Sequence, residues 1–531
     1  MSRNNLFKIA GLIAIITIIS KLIGFARDVV TAHAYGATTV SDAYFYAYQI
    51  PALALILLGG LGGPFHTATI AVFSKIIPDL NEKPSAEVQS LLNSFMTATG
   101  AFFLIISVLI WIFSDSIIHI IAANGSPELH HLASAQLKIM SPIMLIGGVV
   151  GILYGISNVY KEFTFTSLSP TIASIAVIAA IMLFKNDSTG IILAWGTLIG
   201  AVGQLLIQLP VFLKSGFSYK PEFKFFSPKM KNIRDILFPA MVGTTIGQIN
   251  IYVDMFFASQ LLPGAWSAIG YANRIFQFPV GIIITAMLVP LFPMFSDFVG
   301  KKDWNSLKYY FHKGINSLWF LAFPILAFIV LFSHDTIRLL LERGQFNSKD
   351  TIMVTLALIY LSISIIPYVA RDTLTRIFYA FDDSRTPFFI ALFSIIVKAS
   401  MNLIFISHLG IGAITLSTTA VTTVNCILLG VFAHKKIDLE YRRLVIIVIK
   451  IFSATLIMST ILWGLKFAFD LLLPDTRLIL AIKLCIYAIS GIFIYMTAAY
   501  IMKISEAKQL ISKLKRILPF AKIAESASPE G

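Results

Sequence analysis

Apolar runs of about 20 residues recur along the whole chain, and they constrain its fold more than any other feature. A helix of about 20 residues crosses the roughly 30 Å hydrocarbon core of a bilayer. The 531 residues contain fourteen such runs, and charged residues make up 13% of the chain, about half of the roughly 25% usual in soluble proteins. Because spanning backbone must satisfy its own hydrogen bonds in lipid, the sequence predicts an all-α polytopic membrane protein with about fourteen transmembrane helices.

Positive charge is unevenly distributed among the segments that connect these runs. Most of the 41 Lys and Arg residues fall in alternate segments, including 214–234 and the chain from Lys503 onward. The intervening segments hold Lys185, Arg338, Arg343, Lys349 and Arg477. Since Lys and Arg accumulate in cytoplasmic loops, we expect a multi-pass protein with both termini in the cytoplasm. The net charge of +14 then reflects topology, and no nucleic acid is expected as a partner.

Two segments of similar pattern indicate an internal repeat. GATTVSDAYFYAYQIP (36–51) and GAWSAIGYANRIFQFP (264–279) both begin with Gly and end with Gln, one apolar residue and Pro, over the same length. An even number of helices per repeat makes the halves parallel, with a pseudo-two-fold axis along the membrane normal and a central site between them. We expect two pseudo-symmetric six-helix bundles plus two C-terminal helices. The predicted divisions are an N-terminal half (1–216), a basic cytoplasmic linker (217–234), a C-terminal half (235–436), helices 13 and 14 (437–503) and a basic amphipathic cytoplasmic tail (504–531).

The stretch SKLIGFARDVV places Lys21, Arg27 and Asp28 inside the first apolar helix. Ionisable groups at membrane depth cost at least about 2.5–3.5 kcal/mol each, so they usually face a cavity or a partner. Lys21 and Asp28 lie two turns apart on one face, and Arg27 lies about 100° away, which argues against a simple local pair with Asp28. Two interpretations stay open, an anion site in a hydrated cavity and an interhelical network of ion pairs.

Other charges within the runs divide into those with and those without a local partner. Arg274 has no carboxylate three or four positions away, which favours a substrate contact, and the planar fork of Arg suits phosphate. Asp372 and Arg376 have the spacing of a structural ion pair, with Arg371 beside them. Asp254 and Lys398 are candidate partners from different helices of the second half. Four further lysines have no evident partner: Lys138, Lys450, Lys466 and Lys483.

One glycine-rich pattern concerns the backbone of the second predicted helix. Glycines 59, 60, 62 and 63, followed by Pro64, interrupt the second apolar run, so the freed backbone groups must face protein or a water-filled cavity.

The sequence contains no phosphate-binding loop, no metal-binding His pair and no nucleophile–base set. We therefore expect neither cofactor nor metal, and a transporter rather than an enzyme.

Several motifs together resemble the MurJ (MviN) lipid II flippases of the MOP exporter superfamily. They are SKLIGFARDVVTAHAYGATTVSDAYFYAYQIP, GGPFHTATIAVFSK, IGYANRIFQFPVGIIITAMLVPLFPMFS and RIFYAFDDSRTP. The resemblance implies a V-shaped central cavity whose cationic residues hold the diphosphate of the lipid. It also implies that helices 13 and 14 form a groove for the polyprenyl tail.

The resemblance also assigns individual residues to the implied cavity. Arg27 and Asp28 fall on the family's Arg-Asp pair, Lys21 on another cavity arginine, and Arg274 on the cavity arginine of helix eight. The second helix departs from the pattern, because ALALILLGGLGGPFH lacks the cation that many members carry there.

A second implied site concerns ions. Some family members bind sodium between helices seven and eleven, and Asp254 and Asn402 match ligand positions. Lys398 stands where a neutral ligand is expected. The hypothesis is that its ammonium replaces the ion and pairs with Asp254.

The function implied is flipping of lipid II, undecaprenyl-diphosphate-linked disaccharide-peptide, from the cytoplasmic to the outer leaflet of the bacterial cytoplasmic (inner) membrane by alternating access. Expected partners are lipid II, membrane lipids and, as candidates, cell-wall synthesis proteins. Three alternatives stay open: a flippase for another polyprenyl-linked oligosaccharide, a drug or cation antiporter of the same superfamily, and a non-transporting scaffold.

Overall fold

Helices account for almost the whole of the computed structural model, which describes residues 3–77, 83–283 and 287–517. The first ten are α1 (Arg3–Tyr35), α2 (Thr39–Ala52), α3 (Pro64–Ile76), α4 (Ala86–Ile112), α5 (Ser114–Ile121), α6 (Pro127–Met140), α7 (Ile143–Val159), α8 (Thr164–Leu183), α9 (Ile191–Leu206) and α10 (Leu209–Lys214). The others are α11 (Pro228–Ala258), α12 (Ala265–Ile283), α13 (Val289–Gly300), α14 (Trp304–Leu341), α15 (Ser348–Ser362), α16 (Ile365–Ala380), α17 (Arg385–Leu409), α18 (Ile411–Ile437), α19 (Tyr441–Leu472), α20 (Arg477–Ile501) and α21 (Ser505–Ile517).

Many of these helices are long and apolar enough to span a membrane. Nine qualify alone within the described residues, and the bent pairs α6–α7 and α15–α16 raise the number to eleven. The three other predicted spans correspond to α1, to α2 with α3, and to α12 with α13. The described residues contain no strand. The prediction of an all-α polytopic membrane protein is confirmed.

The repeated segments begin with the same backbone feature. Gly36 and Gly264 have positive φ angles of 61° and 89°, which favour glycine because a side chain would clash with the backbone. Each precedes a helix, α2 or α12, and each helix contains an interior proline, Pro51 or Pro279. The two copies of the pattern therefore form equivalent turns and helices.

The chain divides into two compact units. Unit 1 consists of Met1–Tyr271 with Leu341–Asp350, and unit 2 of Ala272–Leu340 with Thr351–Gly531. The division of the chain into two halves, a linker, a helix pair and a tail stays a prediction.

A row of glycines on α7 allows close helix packing inside unit 1. A Cβ added to Gly147 would lie 2.6 Å from the Ala54 carbonyl carbon, and one added to Gly151 would lie 2.7 Å from the Cα of Gly59. A Cβ on Gly155 would lie 2.3 Å from the Cβ of Thr69. Because these glycines are four residues apart, they form one face of the helix. The interrupted second span packs against this face, and its backbone contacts the glycines directly.

Two apolar clusters form the core of unit 2. The first joins α13, α14, α16 and α18 through residues such as Phe295, Phe311 and Phe378. The second joins α14, α19 and α20, and Ile504 and Ala507 at the start of α21 complete it. The described part of the predicted amphipathic tail is therefore a helix whose first turn is docked on unit 2, and residues 518–531 lie outside the described residues.

An ion pair fixes the turn between α16 and α17 in unit 2. Lys436, in the last turn of α18, lies 3.0 Å from the Asp383 carboxylate and above the rings of Phe378 and Phe381. Burial raises the pKa of Asp383, but hydrogen bonds from Thr386 and the nearby Lys436 ammonium outweigh this effect and lower the pKa to about 2. The carboxylate is thus ionised at neutral pH, and the pair ties the turn to α18.

Candidate functional site

Arg27 and Asp28 on α1 form a chelated ion pair. Nε and Nη2 of Arg27 both donate to Oδ1 of Asp28, at 3.1 and 3.0 Å. The prediction that these neighbours are not a simple local pair is wrong, because the long Arg side chain curls around the helix to reach the adjacent carboxylate. Thr31 donates to the Arg27 carbonyl at 2.9 Å. Both members of the ion pair therefore lie on one stretch of α1.

Burial leaves part of this pair available for further contacts. The Asp28 side chain is 9% exposed and the Arg27 side chain 21%. A guanidinium has five N–H donors, and the bonds to Asp28 occupy two of them. Lys21, two turns earlier, is exposed and gives this part of α1 one net positive charge. Together these groups can hold an oxyanion by direct hydrogen bonds.

Aromatic side chains of α2 lie close to the guanidinium. Tyr44 and Tyr48 stack with their ring centroids 5.6 Å apart, and both lie within electrostatic range of Arg27. The Tyr44 hydroxyl pairs with that of Thr197 at 2.9 Å. Tyr44 is buried and Tyr48 is half-buried, so Tyr48 is the ring that can meet a polar head group, and this neighbourhood was not found from the sequence.

Arg274 belongs to unit 2, on α12. It is half-buried and takes part in a polar or electrostatic interaction. Its convergence with Lys21, Arg27 and Asp28 of unit 1 stays a prediction.

The glycine-rich interruption of the second span is ordered by a histidine. A π-helix, Leu53–Leu58, follows α2, and α3 begins at Pro64. His66 accepts a hydrogen bond from the Gly62 amide through Nδ1 at 3.0 Å, and its Nε2 lies 2.7 Å from Nδ2 of Asn158. The expectation that the freed backbone faces protein is confirmed at Gly62. The glycine-rich turn between α2 and α3 contains no charged residue.

A buried carboxylate joins α2 to the start of α12 within unit 1. Asp42 is 5% exposed and accepts hydrogen bonds from the amides of Gly264 and Ser267, each at 2.7 Å. Ser41 donates to the Ser267 hydroxyl at 3.1 Å. We call Ser41, Asp42, Gly264 and Ser267 the latch. Sequence analysis missed it, although an Asp in the first turn of an apolar helix inside the repeat was a usable signal.

The segment 341–350 covers the latch from a distant part of the chain. The Gln345 amide donates to the His33 carbonyl at 2.9 Å, and the Tyr271 hydroxyl donates to the Gly36 carbonyl at 3.2 Å. Asp350 accepts from the Asn347 amide at 3.0 Å and from the Ala37 amide at 3.4 Å. At this end of unit 1, predicted to be external, the turn after α1 is therefore held by one backbone–backbone hydrogen bond and by bonds from its backbone to the Tyr271 and Asp350 side chains.

The residues of the predicted ion site are all buried. Asp254 on α11 is 8% exposed and belongs to unit 1, whereas Lys398 and Asn402 on α17 belong to unit 2 and are 4% and 0% exposed. Lys398 donates to the Thr418 hydroxyl at 2.8 Å. Pairing of Lys398 with Asp254 stays a prediction.

The pairing expected on α16 is wrong. Arg371, not Arg376, binds Asp372, with Nε donating to Oδ1 at 3.0 Å, and Arg371 lies 4.4 Å from the centre of the Tyr368 ring. Thr375 donates to the Arg371 carbonyl. The sequence RDTLT thus reproduces the local geometry of RDVVT on α1.

Three of the four apparently isolated lysines also have carboxylate partners. Lys138 pairs with Asp115 at 3.0 Å. Lys483, which is 4% exposed, pairs with Asp470 at 3.0 Å, and Lys466 pairs with Asp335. These carboxylates lie on other helices, so helical spacing did not reveal them. Lys466 also lies 3.8 Å from Asp470, four positions along α19, and that partner could have been found from the spacing.

Comparisons with known proteins identify the relatives of this fold. The family model "Lipid II flippase MurJ" matches residues 31–473. A probable lipid II flippase MurJ from Synechocystis sp. is 33% identical over 79% of this chain and 80% of its own length. One from Buchnera aphidicola subsp. Acyrthosiphon pisum is 29% identical over 86% of this chain and 90% of its own length.

Solved structures agree on the fold. A lipid II flippase MurJ in an inward closed conformation superposes with a TM-score of 0.79 at 24% identity, over 94% of this chain and 99% of that one. An inward-facing multidrug resistance MATE transporter of the MOP superfamily has a TM-score of 0.60 at 16% identity, over 81% of this chain and 98% of that one. These are transporters and not enzymes. With the family model spanning most of its length, the chain belongs to the MurJ lipid II flippase family.

Proposed function

We propose that this chain flips lipid II from the cytoplasmic to the outer leaflet of the bacterial inner membrane. The substrate follows from the family, whose model and relatives carry the name lipid II flippase. The single observation that supports the site is the largely buried but still accessible Arg27–Asp28 pair on α1, the first predicted membrane-spanning helix. A charge pair at this depth is costly unless it serves a cavity or a ligand.

In this proposal Arg27 binds the diphosphate while Asp28 fixes its orientation. Two N–H groups hold the carboxylate, and the remaining donors face the phosphate oxygens. Lys21 contributes a flexible point charge two turns away, and Arg274 supplies a second planar fork from the other half of the chain. Tyr48, the half-buried ring of the stacked pair, contacts the sugar part of the head group, and the buried Tyr44 packs against it.

Transport then requires the two ends of the cavity to open in turn. The latch closes the end predicted to be external, and its bonds to the α12 amides must break before the head group leaves on that side. Helices 13 and 14, here α19 and α20, hold the polyprenyl tail in lipid while the head crosses. The inward-facing state is the one in which the latch is formed.

The test is rescue of a bacterium depleted of its own lipid II flippase. We expect the wild-type chain to restore growth, and Arg27→Ala and Arg274→Ala to fail at normal membrane abundance. Arg385→Ala is the matched control, because Arg385 is exposed at the start of α17, outside the proposed cavity and tail groove, and should not touch the substrate.

The wild-type chain tests the proposed function, and the two arginine variants test the proposed anion site. Rescue by Arg27→Ala and Arg274→Ala alike would contradict the anion site while leaving the function intact. No rescue by an abundant wild-type chain would point to another polyprenyl-linked substrate. The neutral turn at Gly59–Gly63 would then be the first element to exchange for a cationic one.

A further inference from the structure

The segment between α10 and α11 is bound along the side of α4. Gln89 accepts from the Ser218 amide at 3.1 Å and donates to the Ser218 carbonyl at 2.6 Å. Asn93 donates to the Glu222 carboxylate at 3.3 Å, and the Glu222 amide donates to the Thr97 hydroxyl at 3.2 Å. We call residues 217–227 the strap. Its polar groups are directed to α4, so the strap has a fixed orientation.

The first residue of the strap anchors it in the core of unit 1. Phe217 is 2% exposed and stacks on Phe212 of α10 with ring centroids 5.7 Å apart. Its ring also meets that of Tyr160 edge-on at 6.1 Å. With one end buried and the middle bonded to α4, the remaining side chains of the strap have no freedom to turn inward.

The opposite side of the strap presents aromatic rings and cations. Phe223 is 71% exposed and Phe226 is 92% exposed. Lys220 in the strap, and Lys231 and Arg234 in the first turns of α11, are exposed as well. The acidic group of the strap, Glu222, is engaged by Ser90 and Asn93 of α4 and by Lys224. Asp235, beside Arg234, is exposed too, but Lys220, Lys231 and Arg234 outnumber it. The outward face therefore keeps a net positive charge beside its aromatic rings.

The strap also lies at the depth of the lipid head groups. α4 has 27 residues and is about 40 Å long, about 10 Å more than the hydrocarbon core. The strap is bonded to Gln89–Thr97, within about the first three and a half turns of α4, at the end where positive charge predicts the cytoplasm. Basic residues there are attracted to anionic lipids, and aromatic rings favour the interface.

We propose that the strap and the first turns of α11 form a docking surface for the anionic head groups of the cytoplasmic leaflet, with Phe223 and Phe226 inserted among the lipids. The cations attract the anionic head groups, and the aromatic rings set how deeply the strap sits in the interface. Because the strap joins the two sequence repeats, the lipid composition of that leaflet sets how firmly this connection is held.

The test uses the full chain in lipid nanodiscs. Cys426 and Cys485 are replaced by Ala, and Phe226→Cys is labelled with a bimane fluorophore. Discs contain phosphatidylcholine with brominated acyl chains, either alone or with about 30 mol% brominated phosphatidylglycerol. We expect bimane quenching to be about twofold stronger in the anionic discs, and this gain to disappear at about 0.5 M salt, where charges are screened.

Two variants and a reference position identify the cause of quenching. Lys220→Gln with Lys231→Gln should remove the gain, whereas Lys301→Gln with Lys302→Gln removes the same charge from an exposed turn elsewhere and should retain it. A label at Phe493, which is 73% exposed on α20, should be quenched equally in both discs. Equal quenching at position 226 in both discs would overturn the anionic preference. No quenching at 226 beside normal quenching at 493 would overturn lipid docking altogether.

Discussion

Gly264→Ala should open the latch, because nothing larger than hydrogen fits at this position. An added Cβ would lie 1.9 Å from the Ala37 carbonyl oxygen, whereas carbon and oxygen atoms of neighbouring segments approach to about 3.3 Å. The segments must therefore part by about 1.4 Å. The two 2.7 Å bonds from the Gly264 and Ser267 amides to Asp42 would lengthen to about 4 Å, beyond the hydrogen-bonding range.

The cost follows from these two losses. Each hydrogen bond to a carboxylate contributes about 1.5–3 kcal/mol. A side chain at the φ of 89° adds about 1–2 kcal/mol of strain. The lower bound is about 4 kcal/mol, which changes the equilibrium between closed and open latch by about a factor of 1,000.

The assay measures how fast a buried cysteine is modified. Ala43, next to Asp42, is 0% exposed, so Ala43→Cys in a chain without native cysteines reports latch opening to a membrane-impermeant maleimide. We expect modification at least about tenfold faster with Gly264→Ala, together with a lower melting temperature in detergent. Gly270→Ala, on the same helix, is the control, since a Cβ at this position would have no atom within 4 Å. Equal rates and melting temperatures for the two variants would refute this reasoning.

Three further perturbations test the charges outside the latch. Asp383→Asn should lower stability at pH 6 by about 1 kcal/mol, allowing for solvent screening of the pair with Lys436. With the Asp383 pKa at about 2, the stabilisation is present above about pH 4 and is lost as the pH falls through 2, so melting curves of the variant should lack this acid step. Asp470→Asn leaves the buried Lys483 without its 3.0 Å partner and also removes a 3.8 Å partner of Lys466. It should cost about 1 kcal/mol, because the Asp470 side chain is 52% exposed and water screens the pair, and adding Lys483→Met should restore part of this loss; equal melting temperatures of the single and double variants would contradict this. If Lys398 replaces a sodium ion, rescue should be equal in sodium and potassium media, and a strict sodium requirement would end that hypothesis.

Periodicity and composition were sufficient to predict an all-α polytopic fold, because lipid leaves so few alternatives for an apolar chain. The topology predicted from charge placement stays a prediction. The same reasoning failed for Arg27 and Asp28, since helical spacing gives the direction of a Cβ and not the reach of a long guanidinium. It failed again at Asp372, where Arg371 lies nearer than Arg376 despite the favourable spacing of the latter. Lys483 and Asp470 show a third limit, because partners on different helices become visible only once the helices are packed.

Within the site, the sequence located the charged residues but not their surroundings. Arg27 was identified from its position in an apolar run, whereas Tyr44 and Tyr48 beside it are ordinary aromatic residues of a span. Asp42 was passed over because its partners are backbone amides, which every residue except proline possesses. Such contacts have no signature in residue type.

The latch has a consequence for how this protein can vary. Asp42 recognises main-chain amides, so most side chains at the start of α12 can be exchanged without removing a partner of the carboxylate. The constraint falls on the carboxylate itself and on the glycine that lets two segments touch. Methods that infer contacts from paired changes between positions would therefore overlook this contact. A change of side chain at the start of α12 leaves the main-chain amide in place, so it requires no matching change at Asp42. A search for gate residues in related transporters is better directed at lone acids facing helix starts than at matched side-chain pairs.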